Sequence, residues 1–325
     1  MSPAPFLSRF VVGWLAAQAT SRVQETVVDE LKSRVASGNL GNLGGLENYE
    51  GLLFKGAKDA KSADGATAEN SGGLERADVG VVGATKRELV GILDKMGVPK
   101  TTKNGDSLTF YTGSWLGLRI AAVETGVGAA QTRKGTEALI QAFRPIRVVS
   151  VGFATGLRPG LKRGALVVPG LFQRANGSTL DWGAGGDGDL TTDGSESPFG
   201  RWASGTLLSV TRPVVEPEEK RKLGEETGAA ICDRGTWPAA EVCAASDVPF
   251  LPLRVVLDAC DEAPPRDVRN VVAEKQHAAR LLGAFLGAVS KRPSAALDVY
   301  KEKERALVAA DKLASALESI LKAGG

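Results

Sequence analysis

From Asp78 onward the chain alternates short apolar runs with amphipathic stretches, which predicts strands and helices in turn. VGVVGA (79–84) predicts a strand, and TKRELVGILDKM (85–96) follows with Leu89, Ile92 and Leu93 at helical spacing. SLTFYTG (107–113) and LGLRIAAVETG (116–126) predict an antiparallel pair joined near Ser114. A helix over about 130–143 leads into the strand IRVVSVG (146–152), with further strands expected at 165–170 and 205–213. PEEKRKLGEETG (217–228) predicts a helix closed by glycine. A short strand at 229–232 and a helix at 237–246 come next. The apolar run VPFLPLRVVLDA (248–259) predicts a buried strand carrying Asp258 at its C-terminal tip, and helices over about 268–290 and 296–321 close the chain. This order predicts an α/β three-layer sandwich, mostly parallel and covered on both faces, with 78–325 as one domain.

The first quarter of the chain reads differently. Val23, Val27, Val28, Leu31 and Val35 continue an apolar stripe that predicts one amphipathic helix over 5–37. Phe10 to Ala17 is apolar behind Arg9, and Ala17-Gln18-Ala19 resembles a small-residue cleavage site. The stripe runs on past that point, and the apolar run is too short to span a bilayer. Few cationic residues border the stripe, which argues against a membrane surface. Residues 38–77, with GNLGNLGG and SADGATAENSGG, bury little apolar surface and predict a flexible linker. A second polar, Gly-rich stretch at 174–204 is a candidate loop over a site. Its Trp182, Phe199 and Trp202 could stack on a ring or simply anchor the loop.

Composition narrows the chemistry. A net charge of +2, with basic and acidic residues interspersed, gives no footprint for nucleic acid. Cys232, Cys243 and Cys260 have neither CxxC spacing nor an even count, so no zinc site or disulfide framework is indicated, and reduced thiols point to a cytoplasmic protein. The single histidine, His277, falls on a helix and reads as a surface residue. Acid–base work therefore falls to carboxylates, first Asp258 and Glu88. On the residues alone, Asp258 could equally cap the next helix or pair with Arg254, Glu88 is an ordinary helix residue, and Thr125 a turn residue.

Glycines gather at the predicted strand exits: Gly80 and Gly83, Gly126 and Gly128, Gly152 and Gly156. There a glycine lets backbone N–H groups approach phosphate or hydroxyl oxygens, or only serves turn geometry. No GxGxxG or Walker lysine motif occurs.

Five segments together resemble the purine nucleoside phosphorylase / methylthioadenosine–adenosylhomocysteine nucleosidase superfamily. They are VGVVGATKREL (79–89), ETGVGAAQTRKGTEALI (124–140), VVSVGFATGLRPGLKRGALVVPG (148–170), the 227–262 stretch with DRGTWPAAEV and RVVLDACDE, and RPSAALDVYKEKERALVAADKLA (292–314). The nearest likeness is to hopanoid-associated phosphorylase-like members, through LDACDEAPPRDV and the RPSAAL tail. The resemblance implies a central mixed sheet and cleavage of the N-glycosidic bond of an adenosine- or methylthioadenosine-like nucleoside. It implies no metal or redox cofactor, orthophosphate as co-substrate only for a phosphorylase, and a homo-oligomer. Asp258 would be the general acid toward the leaving base and Glu88 would hold the attacking water. Thr125, Gly126 and Gly128 would cradle sugar or phosphate, with Gly83, Ala154, Thr155, Gly156 and Asp233 around the substrate.

The chain also departs from that pattern. Arg234 and Gly235 stand where the family has a Met-Glu pair whose glutamate grips the ribose 2′ and 3′ hydroxyls. Losing that carboxylate would remove charge-assisted hydrogen bonds worth roughly 1.5–3 kcal/mol each, unless Asp233 or Glu241 substitutes. Leu257 replaces a common serine beside the acid, and Ala165 replaces an aspartate. The alternative is thus a catalytically impaired homologue that binds a nucleoside or a protein partner.

Overall fold

The computed structural model describes residues 76–97, 99–104, 108–181, 203–263 and 295–323. The expected helices at 5–37 and 268–290, His277, Trp182, Phe199 and Trp202 lie outside the described residues, as does the linker up to residue 75. The chain divides into two compact units, one of Met1–Gly72 with Pro265–Tyr300 and one of Gly73–Pro264 with Lys301–Gly325. The second carries the sheet.

Eleven strands form that sheet among the described residues. They are β1 (Val79–Gly83), β2 (Lys100–Asn104), β3 (Leu108–Trp115), β4 (Leu118–Glu124), β5 (Arg147–Gly156), β6 (Leu166–Val167), β7 (Leu171–Arg174), β8 (Thr179–Asp181), β9 (Thr206–Ser209), β10 (Ile231–Asp233) and β11 (Phe250–Asp258). The described helices are α1 (Lys86–Lys95), α2 (Ala129–Phe143), α3 (Pro217–Thr227), α4 (Thr236–Ala245) and α5 (Ala295–Ala323). The sheet order is β2-β3-β4-β1-β5-β10-β9-β7-β8, with β11 on β5 and β6.

β1, β5 and β11 read as continuous apolar runs because both faces are covered. Val81, Val149, Val151, Leu253 and Val255 face one core with Leu89 and Ile92 of α1 and Leu313 and Leu317 of α5. Val82, Val148, Phe250 and Val256 face the other core with Leu139 of α2 and Trp237 and Cys243 of α4. Each fully buried side chain of this size contributes roughly 1.5–3 kcal/mol. The result is a helix–sheet–helix sandwich with a mixed sheet.

The sheet is less parallel than the strand–helix alternation suggests. Among the described residues, parallel pairings of β1 with β4 and β5, β5 with β11, and β9 with β10 and β7 are matched in number by antiparallel ones. The β3–β4 turn lies at Leu116-Gly117, with φ of 53° and 79°, rather than near Ser114. Two consecutive positive φ angles suit a two-residue hairpin loop. β2 is a polar edge strand, KTTKN, which has no apolar alternation to announce it. A β7–β8 hairpin takes up the start of the expected loop.

The strand that organises the site is β5. Its first half lies between β1 and β11, and at Thr155 and Gly156 its far end pairs with β10. The C-terminal ends of β1 and β11 therefore converge on the second half of β5.

Candidate active site

The geometry starts with a bulge in β11. Val256 pairs with Ala154, yet Asp258 pairs with Thr155, so Leu257 is the extra residue. Strict alternation would leave Asp258 on the face of Arg254 and Val256. The bulge turns it to the face of Thr155, as bulges near sites often re-aim a side chain. Leu257 packs against the core.

Thr155 Oγ1 donates to Asp258 Oδ1 at 3.4 Å, and Lys220 Nζ donates to Asp258 Oδ2. Lys220 comes from α3 and is 0% exposed. Its ammonium has three hydrogens and three acceptors: Asp258 Oδ2, Ala259 O at 3.0 Å and Glu262 O at 2.7 Å. Full satisfaction is what makes a buried ion bearable, since desolvation costs several kcal/mol per charge. Gly224, one turn on, lets α3 approach: a Cβ there would sit 2.6 Å from Leu157 O. Glu262 locks the turn after β11 by accepting from Ala259 N at 2.8 Å and Arg163 Nε at 3.0 Å. Burial pushes the Asp258 carboxyl up, against the lowering by Lys220, Arg163 and the Thr155 hydroxyl.

Arg254 does not pair with Asp258. Its Nε donates to Asp233 Oδ2 at 2.7 Å, Nη1 to Ser150 O at 2.6 Å and Leu253 O at 2.8 Å, and Nη2 to Ser150 Oγ at 2.9 Å. Asp233 also accepts from Thr236 N at 3.2 Å and Thr236 Oγ1 at 2.6 Å, which holds the start of α4. This network joins β5, β10 and β11 under the site.

Glu88 is 9% exposed, unlike an ordinary surface helix residue. As the third residue of α1 it closes a capping box, with Oε2 accepting from Thr85 N at 2.8 Å. Its Oε1 accepts from Phe153 N at 3.3 Å, beyond the end of β1. Glu88 at Gly152–Phe153 and Asp258 at Thr155 are thus two to three β5 residues apart, roughly 7–10 Å along the strand.

Thr125, buried, follows β4 and donates from Oγ1 to Gly126 O at 2.8 Å, while its N–H bonds Gly83 O at 3.0 Å. Gly126 and Gly128 have φ of 85° and 113° and lead into α2, a backbone path that other residues rarely take. Behind Thr125, Gly135 of α2 has no room for a side chain: a Cβ would lie 2.4 Å from Thr125 Cγ2. Gly135→Ala is therefore expected to cost about 1–3 kcal/mol in urea denaturation, as overpacking does, and to displace Thr125.

The remaining expected residues fall into two groups. Gly156 lies beside Ala259 and Asp258, where a Cβ would be 3.4 Å from Ala259 Cα. Gly80, Gly83 and Ala154 are closely packed: a Cβ on Gly80 would meet Leu139, one on Gly83 would meet Leu89, and Ala154 lies in the α2–α4 core. Gly235 is the N-cap of α4, and among the described residues a Cβ there would meet only Thr132, at 3.5 Å. Neither carboxylate considered as a substitute is idle, because Asp233 serves Arg254 and Thr236 while Glu241 binds Arg133 and, at 3.1 Å, Arg174. The three cysteines are free and buried. Burial, with Asp233 and Asp258 nearby, pushes the Cys232 thiol up, and burial pushes Cys243 up to about 12.

Lys220 is the site residue that sequence reasoning missed. The signal was faint: Lys220, Leu223, Gly224 and Thr227 sit at helical spacing, which puts the lysine on the inward stripe of α3.

Comparison with known proteins identifies the family and the fold. The family model described as Phosphorylase superfamily matches residues 78–291, and the chain belongs to that family. A 5'-methylthioadenosine/S-adenosylhomocysteine nucleosidase of Exiguobacterium sp. is 26% identical over 212 residues, covering 57% of this chain and 86% of the relative. The enzyme of that name from Haemophilus influenzae is 26% identical over 234 residues, covering 63% of this chain and 96% of its own. Among solved structures, a Helicobacter pylori 5'-methylthioadenosine/S-adenosyl homocysteine nucleosidase shares the fold with a TM-score of 0.56 at 19% identity, over 77% of this chain and 99% of that one. Futalosine hydrolase of the same organism gives 0.55 at 18% identity, over 77% and 98%.

Proposed function

We propose that this protein hydrolyses the N-glycosidic bond of an adenosine-type nucleoside, with Asp258 as general acid. The observation that carries the reading is Asp258 itself, turned by the β11 bulge to Thr155 with its carboxyl pushed up by burial. Breaking the bond leaves an oxocarbenium-like sugar and an electron-rich base. A proton delivered to a ring nitrogen of the base as the bond breaks lowers the barrier. Glu88 holds and activates the water that adds to the sugar carbon from the other side. The Thr125–Gly128 turn receives the sugar. Membership of the family supports cleavage of the glycosidic bond, and the nucleosidase names of the relatives favour hydrolysis over phosphorolysis. The chemistry runs on these side chains without a metal or redox group, with the nucleoside and water as its partners.

The test offers the purified protein adenosine, methylthioadenosine, adenosylhomocysteine and inosine, with and without phosphate, and measures free base. Release from an adenine nucleoside without phosphate supports the reading. Strict dependence on phosphate overturns the hydrolytic part, and binding without release in every condition overturns catalysis.

One observation favours the second reading, an impaired homologue that binds without cleaving: Gly235 brings no carboxylate to the sugar, and Asp233 and Glu241 are both committed elsewhere. The space at Gly235 provides a direct check. With φ of −115° and, among the described residues, only Thr132 within reach of a Cβ at 3.5 Å, the backbone there accepts a side chain. Gly235→Glu is expected to lower KM for nucleosides by roughly 10–100-fold, as two-hydroxyl recognition by a carboxylate would. An unchanged KM would mean the sugar lies elsewhere.

A further inference from the structure

We propose that Lys220 is the positioning residue for the acid: its ammonium holds Asp258 Oδ2, so that Oδ1, beside Thr155, is the oxygen that meets the leaving base. This rests on the reading of Asp258 as general acid. The lysine is completely enclosed on a helix 38 residues before its partner, and its other two hydrogens go to Ala259 O and Glu262 O. It has no freedom to donate elsewhere, and it faces the acid rather than the sugar-binding turn.

The chemistry explains why a cation belongs there. As the C1′–N bond breaks, its electron pair passes to the base, the proton on Asp258 Oδ1 moves to a base nitrogen, and water oxygen bonds to C1′ while losing a proton to Glu88. Negative charge thereby appears on Asp258 in the step that matters. A fixed ammonium at Oδ2 stabilises that charge without reorganisation. The charged and titratable groups around Asp258 are Lys220 from α3, Arg163 from the segment before β6, Cys232 from β10, and Glu262 in the following turn. Arg163 is already shared with Glu262, at 2.8 Å, which leaves Lys220, among the described residues, as the cation in direct contact.

The sign of the pH effect follows. A general acid works while protonated, so activity falls as pH rises through its pKa. An adjacent ammonium lowers that pKa; removing it raises the pKa and moves the falling limb to higher pH. Lys220→Met removes the charge, and Lys220→Gln removes the charge while keeping a donor.

The experiment measures kcat against pH for the wild type and both variants. The expected result is a plateau kcat lower by roughly 10–100-fold and an alkaline limb shifted up by roughly 1–3 units. A lower kcat with an unmoved limb would show a merely structural lysine and overturn the proposal. If the wild type releases no base, the functional reading fails separately, and the Asp258 carboxyl is titrated by carbon-13 NMR in the free protein. An upward move of that titration in Lys220→Met supports the pairing, and none overturns it. Should neither variant fold, the wild-type Lys220 side-chain resonances are followed instead. They must shift at the pH where Asp258 titrates, and independence of the two overturns the proposal.

Discussion

Asp258→Asn is expected to slow base release by roughly 10²–10⁴-fold, the range over which a positioned acid accelerates a reaction. The substitution removes the transferable proton and little else. The asparagine amide oxygen can still accept from Lys220, and the ammonium keeps Ala259 O and Glu262 O. Nucleoside affinity should therefore change far less than kcat. Single-turnover base release, with binding measured in parallel by calorimetry, separates the two. A variant that keeps more than a tenth of the rate would show that another group protonates the base.

The second large effect is on stability. Arg254→Met is expected to destabilise the fold by about 3–5 kcal/mol in urea denaturation, the usual result of removing one partner of a buried ion pair. The side chains of Arg254 and Asp233 are 3% and 7% exposed, so the stranded carboxylate cannot reach water without opening the sheet. Ser150 loses its side-chain and backbone partners in the same step. Adding Asp233→Asn should recover part of the loss, because the charge goes while an acceptor for Thr236 stays. A loss below about 1 kcal/mol in the single variant would mean the network contributes little to holding β5, β10 and β11 together.

The parts of this protein that its sequence announces are those buried on both faces. β1, β5 and β11 are long apolar runs, and the last of them pointed to Asp258. β2 was invisible because an edge strand needs no apolar alternation and is better protected by Lys100 and Lys103. The hairpin turn was displaced because Leu116 takes a left-handed conformation that leucine does not signal.

The site divides along the same line. Gly126 and Gly128 need positive φ, so local sequence announces the turn after β4. Glu88 was legible as a candidate, but its hydrogen bond from Phe153, 65 residues away, was not. Lys220 was barely legible, because a lysine reads as solvated unless its partner is known. That partner is brought to it by the α3 approach and by a one-residue bulge, neither of which has a local signature. Arg254 was visible, but the choice between Asp233 and Asp258 is made by the bulge.

The most direct test of the central claim is a crystal structure of the protein with methylthioadenosine bound to the Asp258→Asn variant, which should bind without cleaving. The account predicts a ring nitrogen of the base within about 3.2 Å of the side-chain atom standing in for Asp258 Oδ1, with the sugar over the Thr125–Gly128 turn. A nucleoside bound with its base away from residue 258, or with that side chain turned from the ligand, would contradict it.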